Sequence, residues 1–115
     1  MHLHQDDLAM APQLIALAPR EAHAFLALKS AAERTDGAIP AKYRELISIA
    51  VALTTQCSYC IDAHTANAAA AGATRADIAE TVMIAAALRA GAAVGHGLSA
   101  LRLFDAHVAS GQTRP

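Results

Sequence analysis

Residues 45 to 64 read Glu45-Leu-Ile-Ser-Ile-Ala-Val-Ala-Leu-Thr-Thr-Gln-Cys57-Ser-Tyr-Cys60-Ile-Asp-Ala-His64. Both cysteines of the 115-residue chain lie here, three positions apart, and a histidine follows four positions after the second. Leu46, Ile47, Ile49, Ala50, Val51 and Leu53 give a helix that is apolar almost all round, the pattern of a helix buried in the centre of a bundle. Pro40 suits its start. Thr54-Thr55-Gln56 weakens the pattern, which predicts a helix from Pro40 to about Gln56 and then a break. A second helix is expected to begin close to Cys57, to run through Ala68 to Ala71, and to end at Gly72.

Upstream, Asp6 or Asp7 can cap a short helix that Pro12 interrupts. Pro19 fits the first turn of a helix to about Arg34, with Ala22, Phe25, Leu26 and Leu28 as its apolar stripe and Arg20, Glu21, Lys29 and Glu33 mostly off it. Thr35-Asp-Gly37 ends it. Downstream, Thr74 and Asp77 read as a capping box for a helix that carries Ile78, Val82, Met83, Ile84 and Leu88 as far as Ala90. Gly91, Gly95 and Gly97 predict a bend or a close crossing before a last helix from about Ala92 to Ala109. The tail, Ser110 to Pro115, reads as frayed. The expected architecture is all-α, a small bundle of about five to six helices forming one domain over residues 1 to 115.

Composition agrees. Thirty-one alanines, four aromatic residues and no tryptophan favour helices over a sheet. Alanine buries little apolar area, so a chain of this size is marginal alone and its leftover helix faces call for a second subunit. Nine basic against ten acidic residues give no electrostatic reason to expect nucleic acid or an anionic membrane. The N-terminus lacks the pattern of a secretory signal, and the apolar runs Leu46 to Leu53 and Val82 to Leu88 are short of a membrane span. A close cysteine pair in such a chain points to the cytoplasm and to redox or metal chemistry rather than a structural staple.

On one helix, Cys57, Cys60 and His64 fall on one face within about 60°. The cysteines can close a disulfide, and His64 reaches back one turn toward Cys60. Cys57 at the helix start meets unpaired N–H groups that favour a thiolate. His64 is the natural proton shuttle. If the two helices run antiparallel, Glu45 comes near His64 and can orient it. The plainer reading of Glu45 is an acid favoured by the helix dipole near its start. For a cysteine in an apolar helix the plainer reading is a buried small hydrophobe, less apt for a C-x-x-C pair followed by histidine. Zinc on Cys57, Cys60, His64 and His96 is disfavoured, because no second ligand motif exists. His96 and His107 read as polar-face or capping residues and His23 as solvent-facing. Asp62, Thr65 and Asn67 need no catalytic role. Tyr59 reads as a packing residue that can line the pocket or donate a hydrogen bond.

Residues from about 41 to 97 resemble the alkyl hydroperoxidase D-like family of the carboxymuconolactone decarboxylase superfamily. The matching text is Arg44-Glu45-Leu46, then Gln56-Cys57-Ser58-Tyr59-Cys60-Ile61-Asp62-Ala63-His64, then Ala71-Gly72-Ala73-Thr74, Asp77-Ile78-Ala79-Glu80 and Ala90-Gly91-Ala92-Ala93-Val94. The resemblance implies an all-helical fold that assembles through its helices as trimers or hexamers. It implies a cofactor-free thiol peroxidase that reduces hydroperoxides at the expense of a dithiol, which in the family can be a lipoyl-bearing protein. By position, Cys60 matches the peroxide-attacking cysteine, Cys57 the resolving one, and Glu45 and His64 the proton relay. This reverses the preference for Cys57 that helix-end electrostatics suggests. The best-known members have histidine where this chain has Tyr59. The decarboxylase branch lacks the cysteine pair, which disfavours lactone chemistry. The same cysteines also suit a general disulfide oxidoreductase or redox sensor without peroxidase turnover.

Overall fold

A computed structural model of the chain describes residues 5 to 111. A short 3-10 turn, Gln5–Met10, leads into α1 (Ala11–Leu17), α2 (Pro19–Ala32), α3 (Ala41–Thr55), α4 (Ser58–Ala70) and α5 (Arg75–Ala109). No strand occurs among the described residues. The all-α expectation therefore holds. The last four residues of the tail expected to fray lie outside the described residues.

Local chemistry explains most boundaries. Pro12 does not interrupt α1. It sits in the first turn, where its missing N–H would have had no helical partner. Ala18, at φ −134° and ψ 65°, separates α1 from α2, and Pro19 restarts the helix. Helix α2 stops two residues earlier than expected, with Glu33 as its C-cap. Pro40 is the N-cap of α3. At the other end Gln56 takes the left-handed conformation, φ 57° and ψ 44°, and its N–H bonds the Ala52 carbonyl. Cys57 is then extended and becomes the N-cap of α4, its Sγ accepting from the Cys60 N–H at 3.4 Å.

The bend expected at Gly91 to Gly97 is absent. Helix α5 is continuous for 35 residues, about 52 Å at the usual rise. Each glycine weakens a helix by about 1 kcal/mol relative to alanine. Here Gly91 is flanked by Ala90, Ala92 and Ala93, an alanine-rich stretch precedes it, and the helix carries through.

Helix α3 is central in position, packed against α4 on one side and α5 on the other. The buried positions among the described residues are Ile49 and Ala52 on α3, Ala68 on α4, and Thr81 and Ala85 on α5. Small residues at these points let the backbones approach closely. Yet α3 is not enclosed as its all-round apolarity predicts: Tyr43, Ile47 and Val51 are each about half exposed. Helices α1 and α2 form an arm whose backbone approaches none of α3, α4 or α5 closely. It is held by Arg44, whose Nη1 donates to the Ala32 carbonyl at 2.8 Å and whose Nε donates to Ile39 at 2.9 Å. Gly37 makes room for that guanidinium; an added Cβ would collide with it.

The start of α5 is fixed by the predicted capping box. Asp77 N–H donates to Thr74 Oγ1 at 3.1 Å, and Thr74 N–H donates to Asp77 Oδ2 at 2.9 Å. The Thr74 N–H, helped by Lys42, holds the Asp77 carboxyl below its ordinary value of 3.8. A lowered carboxylate pKa stabilises the fold above the unfolded value and stops doing so as pH falls through the folded one. Thr74→Ala is expected to lower unfolding free energy by about 1 kcal/mol in urea titrations. Asp77→Asn is expected to be destabilised near neutral pH, with the gap to wild type closing as pH drops below 3.8.

Candidate functional site

The left-handed turn at Gln56 reverses the chain between α3 and α4, and the four sequence-predicted residues gather along the seam. Cys57 and Cys60 are joined as a disulfide with a Cα–Cα separation of 5.3 Å, in the usual range for such bonds. Both are partly buried at the N-terminal end of α4. One turn further on, His64 Nδ1 meets Glu45 Oε2 at 2.6 Å. Glu45 lies on the stripe of α3 that also carries Ile49 and Ala52, four and seven positions on. The two side chains are only 13% and 12% exposed, so water competes little for either. A short contact from a carboxylate to Nδ1 fixes the ring orientation and leaves Nε2 as the nitrogen able to take up or release a proton.

Glu33 is the residue that sequence reasoning does not find. It sits at the C-cap of α2, and its Oε1 lies 3.5 Å from His64 Nε2. In the sequence its only marker is Lys29, four positions earlier, which reads as an ordinary surface pair. That pair exists, with Lys29 Nζ at 2.9 and 2.8 Å from the two Glu33 oxygens.

Other candidates fall elsewhere. His23, His96 and His107 are exposed. His96 lies on α5, which does not approach α4, so it does not join Cys57, Cys60 and His64. Among the described residues no three His, Cys, Asp or Glu side chains are arranged to hold a metal ion. An open, mainly apolar cleft of about 420 Å³ lies between α3 and α5, lined by Tyr43, Leu46, Ile47, Thr81 and Ile84 among others, and includes neither cysteine.

Fold and site together define an all-helical protein with a C-x-x-C disulfide at a helix start and a carboxylate–histidine couple beside it. The chain belongs to the carboxymuconolactone decarboxylase family, whose model matches residues 19 to 103, wider than the 41 to 97 in which the sequence motifs lie. It is 45% identical over 82 residues to an uncharacterised protein of the cox locus of Paracoccus denitrificans, covering 71% of this chain and 73% of that one. It is 35% identical over 88 residues to an uncharacterised protein of Cupriavidus necator, covering 76% and 77%. The apo crystal structure of a carboxymuconolactone decarboxylase family protein from Legionella pneumophila superposes with a TM-score of 0.65 at 30% identity, over 88% of this chain and 89% of that one. The family includes enzymes, and the cysteine pair is compatible with redox chemistry.

Tyr59, between the cysteines, has a buried hydroxyl with no hydrogen-bond partner among the described residues. Burial first, and then the Asp7 and Asp6 carboxylates, push its pKa up, so it remains a neutral phenol. A buried hydroxyl without a partner is worth less than no hydroxyl. Tyr59→Phe is therefore expected to melt at or above the wild-type temperature, as followed by circular dichroism; a clear drop would mean that the hydroxyl has a partner.

Proposed function

We propose that the protein is a dithiol peroxidase that reduces hydroperoxides through Cys60 and Cys57, with His64 and Glu45 as proton relay. The observation that supports this best is the conjunction of a closed C-x-x-C disulfide with a histidine one turn away, whose ring is fixed by a buried carboxylate. In the reduced protein the Cys60 proton passes to His64 Nε2. The Cys60 thiolate attacks one peroxide oxygen; the S–O bond forms, the O–O bond breaks, and the departing alkoxide takes the proton back from His64 to leave as the alcohol. The Cys57 thiol condenses with the Cys60 sulfenic acid, releasing water and closing the disulfide. An external dithiol, such as a lipoyl group on a partner protein in a reducing cytoplasm, restores both thiols by exchange. The net reaction converts hydroperoxide and dithiol into alcohol, water and disulfide. Consumption of an organic hydroperoxide with a dithiol reductant is the expected activity. Cys60→Ser should abolish it, and Cys57→Ser should retain a single turnover that ends in a sulfenic acid trappable by dimedone. Exchange with protein disulfides but no peroxide consumption would instead identify a general disulfide oxidoreductase.

The same reading includes assembly with further copies of the chain. The radius of gyration is 20.0 Å, against about 13 Å for a compact chain of this length. The accessible surface is 9085 Å², where a folded monomer of this mass exposes about 5,900 Å². The excess, roughly 3,000 Å², is the size of an obligate interface. Beyond Arg89, which reaches the end of α3 by donating to the Thr54 carbonyl at 2.9 Å, every described residue of α5 is exposed. Val94, Leu98, Leu101, Phe104 and Val108 form a helical stripe there, each more than 60% exposed. By length and composition alone α5 could also cross a membrane, with mean hydropathy 1.5 in its most apolar window. A second copy is the occupant proposed, because the N-terminal half of α5 is already packed on α3. Light scattering after detergent-free size exclusion should give a trimer or hexamer, and Leu98→Glu with Leu101→Glu should break it. A detergent-free monomer that floats with lipid vesicles would favour the membrane instead.

A further inference from the structure

Glu33 sits where its own helix does not favour it. A carboxylate at a helix C-terminus faces the negative end of the dipole, which is unfavourable. No backbone packing brings it to the site either, since α2 approaches only α1. What brings it there is polar. Arg44 grips the carbonyl of Ala32, the residue immediately before Glu33, at 2.8 Å. Arg44 is also the neighbour of Glu45, so one short segment of α3 sets both carboxylates that flank His64. Exposure rises outward along the line, from 12% and 13% for His64 and Glu45 to 30% for Glu33.

Resting on the reading above, in which Cys60 yields its proton to His64, we infer that Glu33 is a positioning residue for that step, a second carboxylate that acts through the imidazole. When the proton moves from Cys60 Sγ to His64 Nε2, the ring becomes a cation with Glu45 against Nδ1 and Glu33 near Nε2. Both carboxylates stabilise that charge, and Glu33, at the exposed edge, is also the outlet through which the relay exchanges protons with solvent. The other charged groups near this end of α2 are accounted for. Lys29 is paired with both oxygens of Glu33, Arg44 donates to backbone carbonyls, and Arg34 lies 3.6 Å from Asp36 in the following turn. On the α4 side the titratable groups besides His64 are Cys57, Cys60, Asp62, which is exposed, and Tyr59, whose burial and whose neighbours Asp7 and Asp6 keep it neutral. Helix α5 does not approach α4.

The test is the pH dependence of iodoacetamide alkylation of Cys60 in reduced Cys57→Ser protein, with the modified residue mapped by mass spectrometry. Glu33→Gln is expected to move the rise in rate to higher pH, slowing alkylation roughly three- to tenfold at neutral pH and leaving it unchanged above about pH 9, where a thiol ionises without help. Glu21→Gln, on the same helix, should leave the profile in place. An unchanged Glu33→Gln profile, a shift to lower pH, or an equal loss at every pH would overturn the inference, the last by showing that the arm merely loosens. Melting curves establish that each variant is folded. The readout uses no peroxide, so a protein that fails to consume hydroperoxide but shows the shifted profile would sink the peroxidase reading alone.

Discussion

The contact on which the site depends is the one between Glu45 and His64, a carboxylate and an imidazole brought together at 2.6 Å with little water around either. Neither group would be placed there alone, because burying an unpaired charge costs several kcal/mol. The pair exists because the chain reverses within two residues. Gln56 adopts a left-handed conformation that disfavours any residue with a Cβ by roughly 1–2 kcal/mol, and glycine would adopt it freely. The packing of Ile49, Ala52 and Ala68 offsets that strain. The same reversal leaves Cys57 extended, which makes it the N-cap of α4 and aims the Cys60 N–H at its sulfur. One turn thus positions both the cysteine pair and the carboxylate–histidine couple.

The rest of the fold is built to hold this turn with little core. Small residues permit close helix approach but remove little surface from water, about 25 cal/mol for each Å² buried. With five buried side chains among the described residues, the interior of one copy is thin. The long α5 and the α1–α2 arm carry apolar residues outward rather than inward. In the proposed assembly stability and association are coupled: what a compact domain gains from its own core would come largely from surfaces that a single copy leaves bare. The arm is the extreme case, tied to the bundle through polar contacts at Arg44 and Glu33, and regions held this way open at low free energy.

Much of this is legible in the sequence where the deciding interaction is local. The Thr74–Asp77 box, the proline starts and the break at Gln56 each depend on residues within four positions, and each stands as read. The closeness of Glu45 to His64 follows once α3 and α4 are taken as antiparallel. What escapes is set by distant partners or by competition between weak terms. Glu33 reaches His64 across 31 positions through a grip that Arg44 exerts on a backbone carbonyl, and no spacing rule encodes that. Pro12 reads as an interruption and Gly91 to Gly97 as a bend, and both readings fail because proline is tolerated in a first turn and a few glycines cost less than a long helix of good formers gains. The bareness of α3 and α5 cannot be read from an apolar pattern, which says that a face will be covered but not by which chain.

In the proposed cycle the two cysteines have different tasks, and their surroundings suit them. An attacking thiol benefits from a base that takes its proton, whereas a leaving sulfur benefits from whatever stabilises it as a thiolate. His64 lies one turn from Cys60, while the Cys60 N–H and the start of α4 serve Cys57. In the proposed cycle these are successive needs. Cys60 is deprotonated to meet the peroxide. When the external dithiol later attacks the Cys60 sulfur, the thiolate released is Cys57, at the positive end of the helix where it is held best. Helix-end electrostatics and the position of the histidine, which disagree if a single reactive cysteine is sought, agree once the oxidative and reductive halves are assigned to different sulfurs.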